Sequence, residues 1–140
     1  NMSDGTLRAL GVLTALFQRN LVHTPSLIGI EEPETALHPA ASAALREALQ
    51  RASGQTQVIV TSHSPDLLDD VNLSPDSLLA VVFNAGETRI ASLDEASRVT
   101  LRDQLFSAGE LLRLDQLGPD KTILAAQDQR QPDLFDEVRQ

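Results

Sequence analysis

Two adjacent glutamates, Glu31 and Glu32, are the residues whose type and position are best suited to chemistry. They follow a short apolar run, residues 27–30, which is typical of a strand inside a sheet. Charge at the end of such a strand is costly unless something uses it. One carboxylate suits Mg²⁺, directly or through water, and the other suits the polarisation of an attacking water. An acidic surface loop is the alternative interpretation.

His63 holds the same position after a second apolar run, residues 58–60. A histidine at a strand end can hydrogen-bond a phosphate or orient a water, and a solvent-facing loop histidine is the competing interpretation. Ser62 and Ser64 flank it. Because sequence neighbours rarely reach the geometry of a nucleophile and its base, we do not favour a serine hydrolase.

A third polar segment contains Ser3, Asp4, Gly5 and Thr6 and precedes a run with helical spacing. Free N–H groups and the positive end of the helix dipole favour anions at such a place. Gly5 would let a ligand approach the backbone. An ordinary helix cap is the alternative interpretation.

The apolar spacing indicates the elements that must position these residues. Leucines three and four residues apart predict a first helix that ends near residue 20. A second helix is expected from residue 39 to residues 53–54, and a short third one over residues 64–71, begun by a serine and a proline. Strand and helix thus alternate over residues 27–71, which predicts parallel strands whose carboxyl ends share one edge.

The second half of the chain has a different pattern. Residues 79–83 and 88–91 read as two strands joined by a turn, and helical spacing returns over residues 95–117. Residues 118–140 are rich in Gln, Asp and Arg, which predicts a polar tail with the composition of disorder. We therefore predict an α/β fold: a partial parallel sheet flanked by helices, then a C-terminal β-hairpin and helices.

Composition excludes several classes of function. The 140 residues carry a net charge of −9, which disfavours a chain-wide grip on nucleic acid. The absence of cysteine excludes a disulfide scaffold, a zinc finger and thiol catalysis, and fits the cytoplasmic localisation that we expect. No apolar run approaches the roughly 20 residues that cross a bilayer. The first residues lack the pattern of a signal peptide.

Four segments, in this order, resemble the motifs of ATP-binding-cassette (ABC) ATPases. They are Ser-Asp-Gly-Thr-Leu-Arg at 3–8 for the signature, Leu-Ile-Gly-Ile-Glu-Glu-Pro-Glu at 27–34 for Walker B, Thr-Ala-Leu-His-Pro at 35–39 for the D-loop and Ile-Val-Thr-Ser-His-Ser-Pro at 59–65 for the switch histidine. The residues of these motifs are most similar to those of the AAA ATPases of the RecF, SMC and overcoming-lysogenization-defect group. Residues 106–114 resemble the C-terminal part of such ATPases more weakly.

The resemblance implies a role for each candidate residue and a fold like that of P-loop NTPases. Glu31 would support Mg²⁺, Glu32 would act as general base, and His63 would contact the γ-phosphate or the attacking water. Residues 3–6 would bind the γ-phosphate of ATP held by a partner subunit. ATP and Mg²⁺ are then the cofactors, and two copies form a head-to-tail dimer with ATP at the interface.

Two features depart from the family pattern. Glu31 stands where the family often has Asp, and its extra methylene allows a water-bridged contact with Mg²⁺. The phosphate-binding loop Gly-x-x-x-x-Gly-Lys-Ser/Thr, called Walker A, is absent from these residues. We therefore interpret residues 1–117 as the C-terminal lobe of an ABC-type ATPase domain and residues 118–140 as the tail. The partner would be an N-terminal lobe that carries Walker A, and the chain alone should be inactive.

The functions that this resemblance implies are ATP hydrolysis in DNA repair, genome maintenance or anti-phage defence, with nucleic acid bound only through other domains and no membrane contact. A non-catalytic dimerisation or regulatory module that completes a partner's ATP site is the second hypothesis. The third is a metal-dependent hydrolase, although its spacing matches no common zinc motif. Its ligands would come from Glu31, Glu32, Glu34, His38 and His63.

Overall fold

The computed structural model describes residues 4–18, 25–35, 37–84 and 86–128. The chain forms two compact units, Asn1–Leu68 and Asp69–Gln140. The helices and strands are α1 (Asp4–Leu16), β1 (Leu27–Glu31), α2 (Ser42–Ser53), β2 (Gln57–Thr61), β3 (Leu79–Asn84), β4 (Glu87–Ser92), α3 (Glu95–Arg102), α4 (Ala108–Arg113) and α5 (Lys121–Asp128).

The first unit contains the predicted parallel strand pair. β1 and β2 align in register from Leu27 opposite Gln57 to Glu31 opposite Thr61, and α2 is the helical crossover between them. A short 3₁₀ helix, Pro39–Ala41, leads into α2, and Gly54 ends it by donating its N–H to the carbonyl of Ala52. The α/β class, with a small parallel sheet and a later hairpin, is confirmed.

The helices of this unit lie on one face of the strand pair. Leu16 of α1, Ile28 of β1 and Ala52 of α2 line one small cavity. On the other face Leu27 is 50% exposed and Ile59 is 52% exposed, so the described residues do not bury the two strands as the apolar runs predicted. The reason is that α1 and α2 cover a single face.

The apolar stripe of α1 is largely uncovered as well. Leu7, Leu10 and Leu13 are exposed, and Leu16 at the end of the helix is buried. The spacing therefore predicted the helix, although α1 ends at Leu16 and not near residue 20, and it marks an apolar surface that the described residues leave open.

Residues 64–71 do not form the predicted third helix. Ser64 starts a turn, since its carbonyl accepts hydrogen bonds from the N–H groups of Leu67 and Leu68. No helix follows in this fully described segment. Further along, the Asp70 carboxylate accepts the backbone N–H of Asn72, a local bond that competes with helical pairing.

The second unit contains the predicted hairpin. β3 and β4 pair antiparallel from Leu79 opposite Ser92 to Asn84 opposite Glu87. Gly86 in the connection has φ +88°, a conformation that side-chain-bearing residues rarely adopt. Helix α5 contacts β4, and the side-chain amide of Gln127 donates to the Ile90 carbonyl at 2.8 Å.

Residues Lys121–Asp128 form helix α5, whereas the composition predicted a polar tail there. Asp120 helps to start this helix, because its Oδ1 accepts two hydrogen bonds from Thr122, one from the N–H at 2.8 Å and one from the hydroxyl at 2.6 Å. Such capping satisfies N–H groups that have no partner within the helix. Residues 129–140 of the predicted tail lie outside the described residues.

The predicted helical region 95–117 forms two helices. Between them Gln104 has φ +54°, which ends α3 after Arg102. Ser107 then caps α4 in a reciprocal arrangement with Glu110, and it also donates to Asp69 at 2.7 Å. Ser107 is among the most buried side chains described, at 1% exposure.

We expect Ser107→Ala to lower the free energy of unfolding by about 1–2 kcal/mol, since it removes the cap of α4 and the bond to Asp69. The matched control is Ser53→Ala, because Ser53 is exposed and bonds only to Gln50 in the same helix. The control should cost less than about 0.5 kcal/mol. Urea denaturation measures both, and equal losses would contradict this account of the cap.

The capping of α5 should depend on pH. The side-chain hydrogen bond from Thr122, followed by its backbone N–H, holds the pKa of the Asp120 carboxyl below its ordinary value. The stabilisation is therefore present above that ordinary pKa and is lost as the pH falls through the lowered value. We expect the Thr122 amide proton resonance to titrate in this acid range in the native chain and not in Asp120→Asn. Identical titrations in the two proteins would refute the assignment.

Candidate active site

Glu32 is the first residue beyond β1, and a turn begins there. Its N–H donates to the Thr61 carbonyl at 2.9 Å, which continues the pairing with β2 by one residue. The carbonyl of Glu32 accepts the N–H of Thr35 at 3.1 Å and its hydroxyl at 2.9 Å. Pro33 occupies the second position of this turn, where its fixed φ is favourable. The sequence after β1 therefore reverses direction at the sheet edge.

Glu32 has φ +40°, in the left-handed region that non-glycine residues rarely adopt. Such a conformation costs about 1–3 kcal/mol and persists only where the surroundings impose it. Strain of this kind is concentrated at functional sites, which makes Glu32 a candidate on grounds independent of its charge.

His63 reaches Glu32 from the loop that follows β2. Its Nε2 lies 3.1 Å from Oε1 of Glu32, and the two side chains are 89% and 41% exposed. The structure thus brings together the two residues that strand-end reasoning placed at one edge. A contact this exposed contributes about 0–1 kcal/mol, so both groups can engage a ligand at small energetic cost. Their catalytic roles stay a prediction.

The sequence did not predict the contacts of Glu34 at this site. Glu34 was considered there only as a candidate metal ligand with His38. Its Oε1 accepts the Ser62 hydroxyl at 2.6 Å and the His63 N–H at 3.2 Å. The Ser62 hydroxyl in turn accepts the Ser64 N–H at 3.0 Å. The signal available in the sequence was the Glu-Pro-Glu turn, which returns the second carboxylate to the edge where Ser62 lies.

Glu31 ends β1 on the open face of the sheet, opposite Thr61. Mg²⁺ is usually held by one or two carboxylates together with substrate phosphates and water. A single exposed carboxylate beside Glu32 fits an ion that arrives with a nucleotide. Within the described ranges, no group of three or more His, Asp or Glu side chains could hold a metal by itself.

The same finding fails to support the metal-dependent hydrolase. His38 uses its Nδ1 to accept the N–H of Ala40 at 3.2 Å, and Glu34 is engaged with the Ser62 loop. The Ser62 hydroxyl donates to Glu34 and not to an imidazole, so the serine-hydrolase geometry is not formed either.

The candidate phosphate-binding segment, residues 3–6, lies at the start of α1. The helix begins at Asp4, with Gly5 and Thr6 in its first turn, and Ser3 lies outside the described residues. The Glu32–His63 pair forms without a contribution from this turn. Its role in binding a partner's ATP stays a prediction.

The match to known proteins falls on the segment that contains the site. Residues 1–69 match the family described as "AAA domain, putative AbiEii toxin, Type IV TA system". A relative, ABC transporter A family member 5 from Arabidopsis thaliana, is 32% identical over 91 residues, which are 62% of this chain and 9% of the transporter. Among the described residues, no helix has the length and apolarity to cross a bilayer. Both matches support a likeness to AAA and ABC ATPase-type domains, and residues 1–69 are the part of the chain that the family model matches.

Proposed function

We propose that this chain supplies the hydrolytic half of an ABC-type ATP site, with Glu32 as general base and His63 as the contact to the γ-phosphate or the attacking water. The observation that carries the proposal is the 3.1 Å approach of His63 Nε2 to Glu32 Oε1 at the carboxyl edge of the strand pair. Ligands of open parallel sheets bind at that edge.

The reaction is phosphoryl transfer to water. The water oxygen forms a bond to the γ-phosphorus while the bond from that phosphorus to the β-γ bridging oxygen breaks, which releases ADP and inorganic phosphate. The proton of the water passes to the Glu32 carboxylate. The protein contributes mainly by positioning the water and by stabilising charge on the transferring group. Bound Mg²⁺, supported by Glu31, would supply neutralisation of phosphate charge.

The geometry suits these roles in two ways. The turn begun at Glu32 fixes its backbone at the sheet edge through the bonds to Thr61 and Thr35. The His63 imidazole is mostly exposed, so a terminal phosphate can reach it without displacing a packed side chain. Water activation requires a base and a hydrogen-bonding group close together, and Glu32 and His63 meet that condition.

The ATP site needs a partner lobe, and the open surfaces of the first unit support one. No Walker A loop occurs in these 140 residues, so another segment must bind the α- and β-phosphates. Parallel sheets are normally covered on both faces, yet Leu27 and Ile59 are half exposed here. An N-terminal lobe that adds strands and covers this face would complete both the sheet and the site.

We further propose a head-to-tail dimer in which residues 3–6 bind the γ-phosphate of ATP held by the partner. The first turn of α1 offers backbone N–H groups and the positive end of the helix dipole. Because the segment serves the other subunit's nucleotide, it need not lie beside Glu32 of its own chain.

The setting we propose is cytoplasmic and concerns DNA repair, genome maintenance or anti-phage defence. The description of the matched family names a toxin of a Type IV TA system, which favours anti-phage defence among these three settings. The net charge of −9 disfavours a broad contact with nucleic acid, so we assign any such contact to other domains.

The second candidate function is a non-catalytic module that completes a partner's ATP site. The uncovered apolar surface formed by α1 and by one face of the strand pair favours it, since docking alone would explain that surface. The aligned Glu32–His63 pair favours the catalytic proposal, because a docking module has no use for it.

We expect the chain alone to hydrolyse no ATP and to do so once a lobe that carries Walker A is added. In that assembly Glu32→Gln should lower kcat at least about 100-fold, since it removes the base, while ATP still binds. Phosphate release and ATP binding are measured in parallel, with Glu47→Gln on the exposed side of α2 as the matched control. Robust hydrolysis by the isolated chain would overturn the proposal.

ATP should also drive association of the two lobes. Sedimentation of the chain with a Walker A lobe should show a larger complex with ATP than without it, and Glu32→Gln should preserve that complex because hydrolysis no longer breaks it. Association without any turnover in the native assembly would instead establish the non-catalytic module.

A further inference from the structure

We propose that Glu34 is a positioning residue that holds His63 against Glu32. Its Oε1 joins the two loops of the site, because Glu34 lies in the turn after β1 and both of its donors, the Ser62 hydroxyl and the His63 N–H, lie in the loop after β2. Neither donor is on the imidazole, so Glu34 acts on His63 through its backbone.

His63 needs such a support because burial does not orient it. Its side chain is 89% exposed, and the exposed contact with Glu32 is too weak to order the loop. The strand pairing ends with the bond from Glu32 to Thr61, so the backbone of residues 62 and 63 receives no support from the ladder. The Glu34 carboxylate replaces the missing pairing at the residue that carries the imidazole.

Ser62 makes the support continuous along the loop. Its hydroxyl donates to Glu34 at 2.6 Å and accepts the Ser64 N–H at 3.0 Å, so three successive residues connect to a single carboxylate oxygen. A short hydrogen bond to a carboxylate is a strong one, and linked bonds reinforce one another.

The other oxygen of Glu34, Oε2, is buried and has no hydrogen-bond partner among the described residues. A buried polar atom left in this state is destabilising, so folding alone does not explain the choice of this residue. What the carboxylate contributes is the acceptor at Oε1. Glutamine has the same acceptor oxygen and length without the charge, and alanine has neither acceptor nor length, so the two variants separate the need for the acceptor side chain from the need for its charge.

The effect of this contact on catalysis rests on the proposed function, whereas the contact between Glu34 and the His63 loop is independent of it. If Glu32 and His63 act on water and phosphate, Glu34 sets their relative placement and therefore affects kcat more than ATP binding. The test below uses no nucleotide, so its failure would leave the proposed hydrolysis untouched.

The test is a double-mutant cycle read on the imidazole of His63 by NMR in the full chain, with His63→Gln to assign its Cε1–H resonance. In the native chain Glu32→Gln should displace that resonance, because a charged neighbour at 3.1 Å is removed. With Glu34→Ala already present, the same change should displace it by less than about half as much. Glu34→Gln should restore most of the displacement, and Glu47→Ala, on the exposed side of α2, should leave it unchanged.

Equal displacement in the native and Glu34→Ala proteins would overturn the proposal, as would failure of Glu34→Gln to restore it. Circular dichroism checks that each variant folds. If Glu34→Ala does not fold, Ser62→Ala takes its place, because it removes one of the two donors and keeps the carboxylate. It should also reduce the displacement, and an undiminished displacement there would equally refute the role of Glu34.

Discussion

The hydrogen-bonded pairing of β1 with β2 is the constraint on which the site depends. The two strands run parallel and in register, so both end at the same edge, and the bond from Glu32 to Thr61 extends the pairing to the first residue of the site. A shift of register by one residue would move every side chain of one strand to the opposite face. It would also separate Glu32 from His63, since each is placed by the last residue of its strand.

Backbone geometry, more than side-chain attraction, determines where the two functional groups meet. The exposed contact between His63 and Glu32 contributes too little to hold two loops together. The turn at Glu32, its strained φ of +40° and the carboxylate of Glu34 supply the order that the pair lacks. This division leaves the imidazole and the Glu32 carboxylate weakly engaged with each other, which is compatible with the catalytic roles that we propose for them.

The sequence predicted the elements whose signal is local and missed those that depend on turn conformation. Short apolar runs bounded by polar residues located both parallel strands and the hairpin, and strand-end reasoning brought Glu32 near His63. The helix predicted over residues 64–71 failed because local bonds, such as that from Asn72 to Asp70, compete with helical pairing. Glu34 was missed because its contacts join two loops, with partners 28 and 29 residues further along the chain.

The uncovered face of the strand pair connects the fold to the function that we propose. A two-stranded sheet is marginally stable by itself, and parallel strands in particular are found with both faces covered. Here Leu27 and Ile59 are half exposed on the same face on which Glu31 ends β1. A lobe that covers this apolar face would therefore also approach the edge that holds the acidic pair. Burial of the face would favour association, and the nucleotide would then lie where the two lobes meet, so that stability and catalysis would depend on one interface.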